Sequence, residues 1–256
     1  MTTTKQQELE AMLSSFHLPS FGKHYLSYAR QAEKERLDHV GYLYQLSKLE
    51  NEERHHRRTE RLLKQARLPR GKRLADFDIS KFSNLSQNRV SELASGALVD
   101  QAENLLIFGN PGTGKSHLSI ALAREWCLQG RHVLYSTAAS LVQELLVAKR
   151  DLRLNPLLKR LDKFEAIVID DISYIPQDRD ETDVLFLLIA ERYEQRSLIV
   201  TSNLPFSEWG RIFKDQVTTT AAIDRLIHHA SILELNGESY RTTEAAKRKQ
   251  KENPAK

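Results

Sequence analysis

The feature that most restricts this chain is the run Gly109-Asn-Pro-Gly-Thr-Gly-Lys-Ser116. Gly109, Gly112 and Gly114 let the backbone curl so that its N–H groups converge on one small space. An apolar stretch, Asn104–Phe108, precedes the run, and a helical stretch, Lys115–Gln129, follows it. A strand that turns through such a loop into a helix makes an anion site, because the helix N-terminus adds its own donors and its dipole. In that geometry the Lys115 ammonium reaches the β- and γ-phosphates of a nucleotide, and the Ser116 hydroxyl ligates Mg²⁺. The expected ligands are ATP and Mg²⁺. The expected nucleotide contacts are Gly109, Asn110, Pro111, Gly112, Thr113, Gly114, Lys115, Ser116 and the adjoining His117.

Strand and helix patterns then alternate. Short apolar runs at His132–Tyr135, Ala166–Asp170, Ser197–Thr201 and Ser231–Leu235 read as strands. Helical stretches fall at about Ala139–Arg150, Thr182–Gln195, Trp209–Phe213 and Thr219–His229. Continuously apolar strands separated by helices predict an α/β fold, a parallel sheet covered on both faces. Asp170 and Asp171 end the second of these runs. Asp170 is expected to anchor Mg²⁺ together with Ser116, and Asp171 to act as general base toward the attacking water. Thr201-Ser202-Asn203 ends the next run, and ligands of such sheets lie at the carboxyl ends of strands. Asn203 is therefore expected to orient the water.

The first 70 residues read as a small all-helical domain, with helices near Leu9–Phe16, Lys23–Arg36 and Tyr42–Ala66, the first broken by Leu18-Pro-Ser-Phe-Gly22. Residues 71–100 read as a connector with a helix near Asn88–Leu98, residues 101–240 as the α/β domain, and 241–256 as a disordered basic tail. Charge follows these divisions. Residues 1–75 carry a net +6, residues 76–240 a net −6, and the tail +4. Arg54, Arg57, Arg58, Arg61 and Lys64 recur at three- and four-residue spacing, which places them on one side of a helix. Such a stripe tracks a phosphate backbone without reading sequence, so these five are the expected DNA contacts.

No apolar run approaches the roughly 20 residues of a membrane span. The first residues lack the apolar stretch of a secretory signal. The single cysteine, Cys127, allows no intrachain disulfide and reads as a small core residue. A cytoplasmic protein without a membrane partner is expected. His228 and His229 have no metal-ligand company in the sequence and read as structural.

The order of glycine loop, acid pair and polar residues after the next strand resembles the AAA+ ATPases. Leu18-Pro19, Asp170-Asp171-Ile-Ser-Tyr174, Trp209-Gly210 and Ala222-Ile-Asp-Arg-Leu-Ile-His228 make the chain similar to the IstB-type transposition helper ATPases, in the helicase-loader branch. The resemblance covers nearly the whole chain. It implies a P-loop AAA+ three-layer αβα core behind the helical front, and a homo-oligomer whose ATP state assembles on double-stranded DNA, bends it and recruits a transposase. It also implies that Arg225 is an arginine finger acting on the neighbouring subunit, with Arg211 in reserve, and that Arg241 touches the nucleotide of its own subunit. Asp171 stands where many members carry a glutamate, and the shorter arm implies either slower hydrolysis or a different position for the water. Two other functions share this core: a helicase loader on single-stranded DNA, and a nucleotide-sensing scaffold without turnover.

Overall fold

The computed structural model describes residues 2–174, 179–213 and 216–237. Arg241 and the basic tail lie outside them. The chain divides into two compact units, 1–61 and 62–256. No helix among the described residues is long and apolar enough to cross a membrane.

The first unit holds helices α1 (Thr2–Ser15), α2 (Pro19–Glu35) and most of α3 (His39–Gln65). The break after α1 spans Phe16–Leu18, with a left-handed backbone at His17 (φ 54), so of the expected Leu18–Gly22 segment only Leu18 is outside a helix. Pro19 instead opens α2, where its fixed φ suits the first turn and its missing N–H has no intrahelical use. A buried carboxylate organises this unit. Glu50, only 4% exposed, accepts from the Ser20 backbone N–H at 2.8 Å and from the Arg54 and Arg57 guanidinium groups at 3.3 Å each. Burial pushes its pKa up, but the Ser20 donors and the two arginines outweigh that and hold it below the ordinary glutamate value. A depressed carboxylate stabilises the fold above its unfolded pKa, about 4.3, and that stability is lost as pH falls through the folded value. Thermal unfolding followed against pH is expected to show a steep acid limb in the wild-type chain. Glu50→Gln is expected to be less stable at neutral pH and to have a flatter acid limb; parallel limbs would remove Glu50 from this role.

The second unit is the α/β domain. Its elements are α4 (Gln87–Ser95), α5 (Ala97–Asp100), β1 (Asn104–Phe108), α6 (Lys115–Leu128), β2 (Val133–Thr137), α7 (Ala138–Arg150), α8 (Leu154–Leu161), β3 (Ala166–Asp170), α9 (Arg179–Arg192), β4 (Ser197–Ser202), α10 (Gln216–Ile227) and β5 (Ala230–Glu234). The five strands form one sheet in the order β2-β3-β4-β1-β5, and every pairing is parallel. Successive side chains of a strand point to opposite faces. Leu106, Ile167, Ile169, Leu198 and Val200 thus meet α7 to α10 on one side. Leu105, Ile107, Val168 and Ile199 meet α4 to α6 on the other. The three-layer αβα core expected from the sequence is what forms.

The single connector helix is in fact two, because Gly96 sits in the left-handed region (φ 76) and ends α4. The connector also packs onto the core: Phe77, Phe82, Val90 and Leu93 are buried in the layer that contains α6. Two further features position the site. The β4 strand lies between β1 and β3, so residues after it sit between the glycine loop and the acid pair. The Asn104 side chain, 8% exposed, accepts from the Leu198 N–H and donates to the Leu226 carbonyl, tying β1 to the start of β4 and the last turn of α10.

Candidate functional site

The glycine loop leaves the end of β1 and enters α6 at Lys115. Two of its glycines are required by geometry. Gly109 has φ 147, and a Cβ there would stand 2.5 Å from the Leu235 carbonyl oxygen. Gly114 has φ 99, and a Cβ would stand 3.1 Å from the Phe77 ring. The loop is closed internally, with Thr113 Oγ1 donating to the Asn110 carbonyl at 2.9 Å. Lys115, 8% exposed, donates from Nζ to the Gly109 and Asn110 carbonyls at 2.7 and 2.9 Å. The ammonium is thus held inside the loop. His117 is anchored by its Nε2 contact to the Arg73 carbonyl at 2.9 Å, and its ring lies against Phe77. Phe77 in turn stacks on Phe82. The sequence reading missed both phenylalanines because nothing local in residues 71–86 says which strand or loop they cover.

Asp170 and Asp171 lie two strands away, at the end of β3. Asp170 is buried, and each of its oxygens accepts one hydrogen bond, which leaves lone pairs for a further partner. Thr201 Oγ1 donates to Oδ1 at 2.6 Å, and the Tyr135 hydroxyl donates to Oδ2 at 2.9 Å. Burial and the Asp170 and Asp171 charges drive the Tyr135 pKa far above its ordinary value, so it remains a donor. Asp171 has a left-handed backbone (φ 61), an uncommon conformation for an aspartate and one that concentrates at functional sites. Its N–H donates to Thr201 Oγ1 at 2.8 Å. Thr201 therefore fastens both acids, a role the sequence did not reveal.

The next two residues bind a third segment. Ser202 Oγ shares a hydrogen bond with Ser173 Oγ at 3.1 Å, and Asn203 N–H donates to Ser173 Oγ at 3.1 Å. The Asn203 backbone is fixed by this contact, while its side-chain Oδ1 is buried with no hydrogen-bond partner among the described residues. A buried polar atom left this way is costly unless a ligand or water completes it. The glycine cradle, the inward ammonium and this amide fit a nucleotide. The Ser116 hydroxyl and Asp170 carboxylate are hard oxygen donors of the kind Mg²⁺ takes.

Arg225 is elsewhere. It lies in the last turn of α10, partly buried, with its guanidinium 5.2 Å from the Phe186 ring centre and donating to the Ala221 carbonyl. The last turn of α10 leads into the start of β5, which pairs with the start of β1, whereas the glycine loop follows the end of β1. Arg225 and the loop of the same chain thus stand at opposite ends of the strands. The reserve candidate Arg211 has a described backbone only.

The five basic residues all lie on α3 and are exposed. Arg54 and Arg57 bend onto Glu50. Lys64 belongs to the second unit, where it lines a cavity of about 460 Å³ with Arg67, His132, Arg160 and Lys163. His228 and His229 do have company: Glu194 stands 3.6 Å from a ring nitrogen of each, a neighbour their sequence context hides.

A parallel sheet with this strand order, a glycine loop after β1 and an acid pair after β3 define an AAA+ P-loop ATP-binding protein. Solved structures agree on the fold. Replication initiator DnaA bound to AMPPCP and single-stranded DNA aligns with a TM-score of 0.56 at 19% identity, over 74% of this chain and 57% of that one. DnaI aligns with a TM-score of 0.52 at 21% identity, over 68% of this chain and 94% of that one. The sequence is more specific. A family described as "IstB-like ATP binding protein" matches residues 11–249, and the chain belongs to that family. It is 41% identical over 248 residues to "Putative insertion sequence ATP-binding protein y4iQ/y4nD/y4sD" of Sinorhizobium fredii, covering 96% of this chain and 83% of that protein. It is 39% identical over 240 residues to "Insertion sequence IS21 putative ATP-binding protein" of Pseudomonas aeruginosa, covering 94% and 91%.

Proposed function

We propose that this chain is an ATP-hydrolysing assembly factor for DNA transposition, which multimerises on duplex DNA in its ATP state, bends that DNA and recruits a transposase. The observation that carries the reading is the near full-length match to insertion-sequence ATP-binding proteins. The site geometry supplies the chemistry. The loop N–H groups and Lys115 bind the phosphates. Ser116 and Asp170 would hold Mg²⁺, which when bound would neutralise charge on the phosphate oxygens. Thr201 and Tyr135 orient Asp170 and keep its oxygens where they are needed. Asp171 takes a proton from the attacking water, and Asn203 positions that water. Arg225 and Arg241 offset charge that develops on the transferred phosphoryl group, Arg225 from a neighbouring subunit.

The placement of Arg225 supports a site completed in trans. A strand advances about 3.3 Å per residue, and five paired residues of β1 and β5 separate the Arg225 end from the loop end. Within one chain the guanidinium is a strand length from the phosphates. Hydrolysis and assembly are then coupled, because no subunit holds a complete site. DNA contact falls to the exposed basic residues of α3, Arg54, Arg57, Arg58, Arg61 and Lys64, with Arg54 and Arg57 released from Glu50 where they engage phosphate.

The test is sedimentation with duplex and with single-stranded DNA, each without nucleotide, with ADP, or with a slowly hydrolysed ATP analogue. Large complexes are expected only on duplex with the analogue, and they are expected to weaken steeply with salt. Lys115→Ala is expected to abolish them. A preference for single strands would replace this reading with helicase loading. Persistent assembly by Lys115→Ala would favour the nucleotide-sensing scaffold without turnover.

A further inference from the structure

The end of the sheet opposite the glycine loop carries three metal-ligand side chains in one cluster. Glu194 follows α9, while His228 and His229 join α10 to β5, so 33 residues of chain lie between the two halves. Glu194 Oε1 lies 3.6 Å from His228 Nδ1 and 3.6 Å from His229 Nε2. The three ligand atoms lie within 4.8 Å of one another. A tetrahedral ion with bonds of about 2.0–2.1 Å to nitrogen and oxygen needs ligand atoms about 3.3 Å apart. Two of the three separations are already within a few tenths of an ångström of that edge. All three side chains are about half exposed, which leaves room for an ion and for its water.

The backbone behind the cluster is fixed on both sides. The His229 carbonyl accepts from the Asn104 N–H at 2.7 Å, and His228 N–H donates to the Asp224 carbonyl at 3.0 Å. On the other side Arg192, two residues before Glu194, is buried against four carbonyls. Glu194 itself has a left-handed backbone (φ 59). Rigid support of this kind lowers the cost of gathering ligands around an ion. The hydroxyl of Tyr193 lies 2.7 Å from His228 Nδ1. It competes for one ligand atom and gives the cluster a distinctive test.

We propose that Glu194, His228 and His229 form a binding site for a divalent transition ion of the zinc class. Two imidazoles and one carboxylate suit Zn²⁺ and its neighbours better than Mg²⁺, which prefers oxygen. A fourth position is left for water or a ligand from another molecule. The bound ion would tie the end of α9 to the α10–β5 junction, one turn beyond Arg225. That consequence rests on the finger reading of Arg225; ion binding itself does not.

The experiment uses the untagged, nucleotide-free full chain with Mg²⁺ in excess. Co²⁺ is titrated and its visible ligand-field absorption recorded, then Zn²⁺ is added to displace it. One ion per chain is expected, without a thiolate charge-transfer band, since Cys127 is buried far into the core layer of α6. Glu194→Gln and His228→Ala are each expected to weaken binding at least about tenfold, with unchanged thermal unfolding in the absence of metal. Tyr193→Phe is expected to bind at least as tightly as the wild type, because a competitor for Nδ1 is gone. No saturable absorption, or binding that Glu194→Gln and His228→Ala leave unchanged, would overturn the proposal. ATPase activity enters none of these readouts.

Discussion

Arg225→Ala is expected to lower ATP hydrolysis by about a thousandfold while leaving ATP binding intact, the size of effect that removal of an arginine finger produces. The contacts of Arg225 within its own chain are modest, a cation–π approach to Phe186 and a hydrogen bond one turn back. Thermal unfolding is therefore expected to shift little, which separates a catalytic loss from a folding loss. Arg225→Lys is expected to remain impaired, since an ammonium keeps the charge but not the planar fork of donors. The decisive arm mixes two inactive proteins. Arg225→Ala retains a complete glycine loop, and Lys115→Ala retains a complete finger. In a mixed assembly some interfaces combine the intact loop of one with the intact arginine of the other, and activity is expected to return. Mixing without recovery, under conditions where the two proteins co-sediment, would place the guanidinium in its own subunit's site or make Arg211 the better candidate.

How far the sequence could reach is clear from particular residues. The strands β1, β3 and β4 were legible almost to the residue because each is a continuous apolar run, and such runs form where both faces of a sheet are covered. The loop before α6 was legible because its chemistry is local: glycines, lysine and serine at fixed spacing. Helix α8 was not. Its Pro156 occupies the third helical position, where an N–H has no intrahelical partner to lose, so a proline there does not mark a helix end. The partners of Asp170 were equally hidden. Tyr135 is 35 residues away, on a strand that pairs beside β3, and only the register Tyr135↔Val168 brings its hydroxyl to the carboxylate. Thr201 was visible as part of a polar strand end but not as the clamp on both acids. The same limit applies to Glu194 beside His228 and His229. Side chains that meet through the packing of two helix ends leave no periodic trace in either.

Arg192→Met is expected to destabilise the α/β domain by about 2–6 kcal/mol, at about 1–3 kcal/mol for each buried carbonyl that loses its donor. Arg192 is 1% exposed. Its guanidinium donates to the carbonyls of Leu161, Phe164 and Ser197 at 2.9–3.1 Å, with Glu165 at 3.5 Å. Those carbonyls belong to the end of α8, the entry to β3 and the entry to β4. The Leu161 and Glu165 carbonyls also accept from the Phe164 and Ser197 backbone N–H groups at 3.1 Å each, and one planar group of donors ties all three chain ends at once. Burial lowers the Arg192 pKa to about 9, still above neutral pH, so the group stays charged and all four carbonyls face a cation. Methionine fills a similar volume but donates nothing, and each carbonyl left unpaired costs about 1–3 kcal/mol less any water that reaches it. For a domain of this size the loss corresponds to a fall in Tm on the order of 10 °C. Arg192→Lys is expected to recover only part of it, because a single ammonium cannot span the three segments. A methionine variant that melts with the wild type would mean that water serves these carbonyls and that the guanidinium is replaceable. A large fall would mark this buried cation as the fastening that holds the β3 and β4 entries in register, and with them the strand ends that carry Asp170, Asp171 and Asn203.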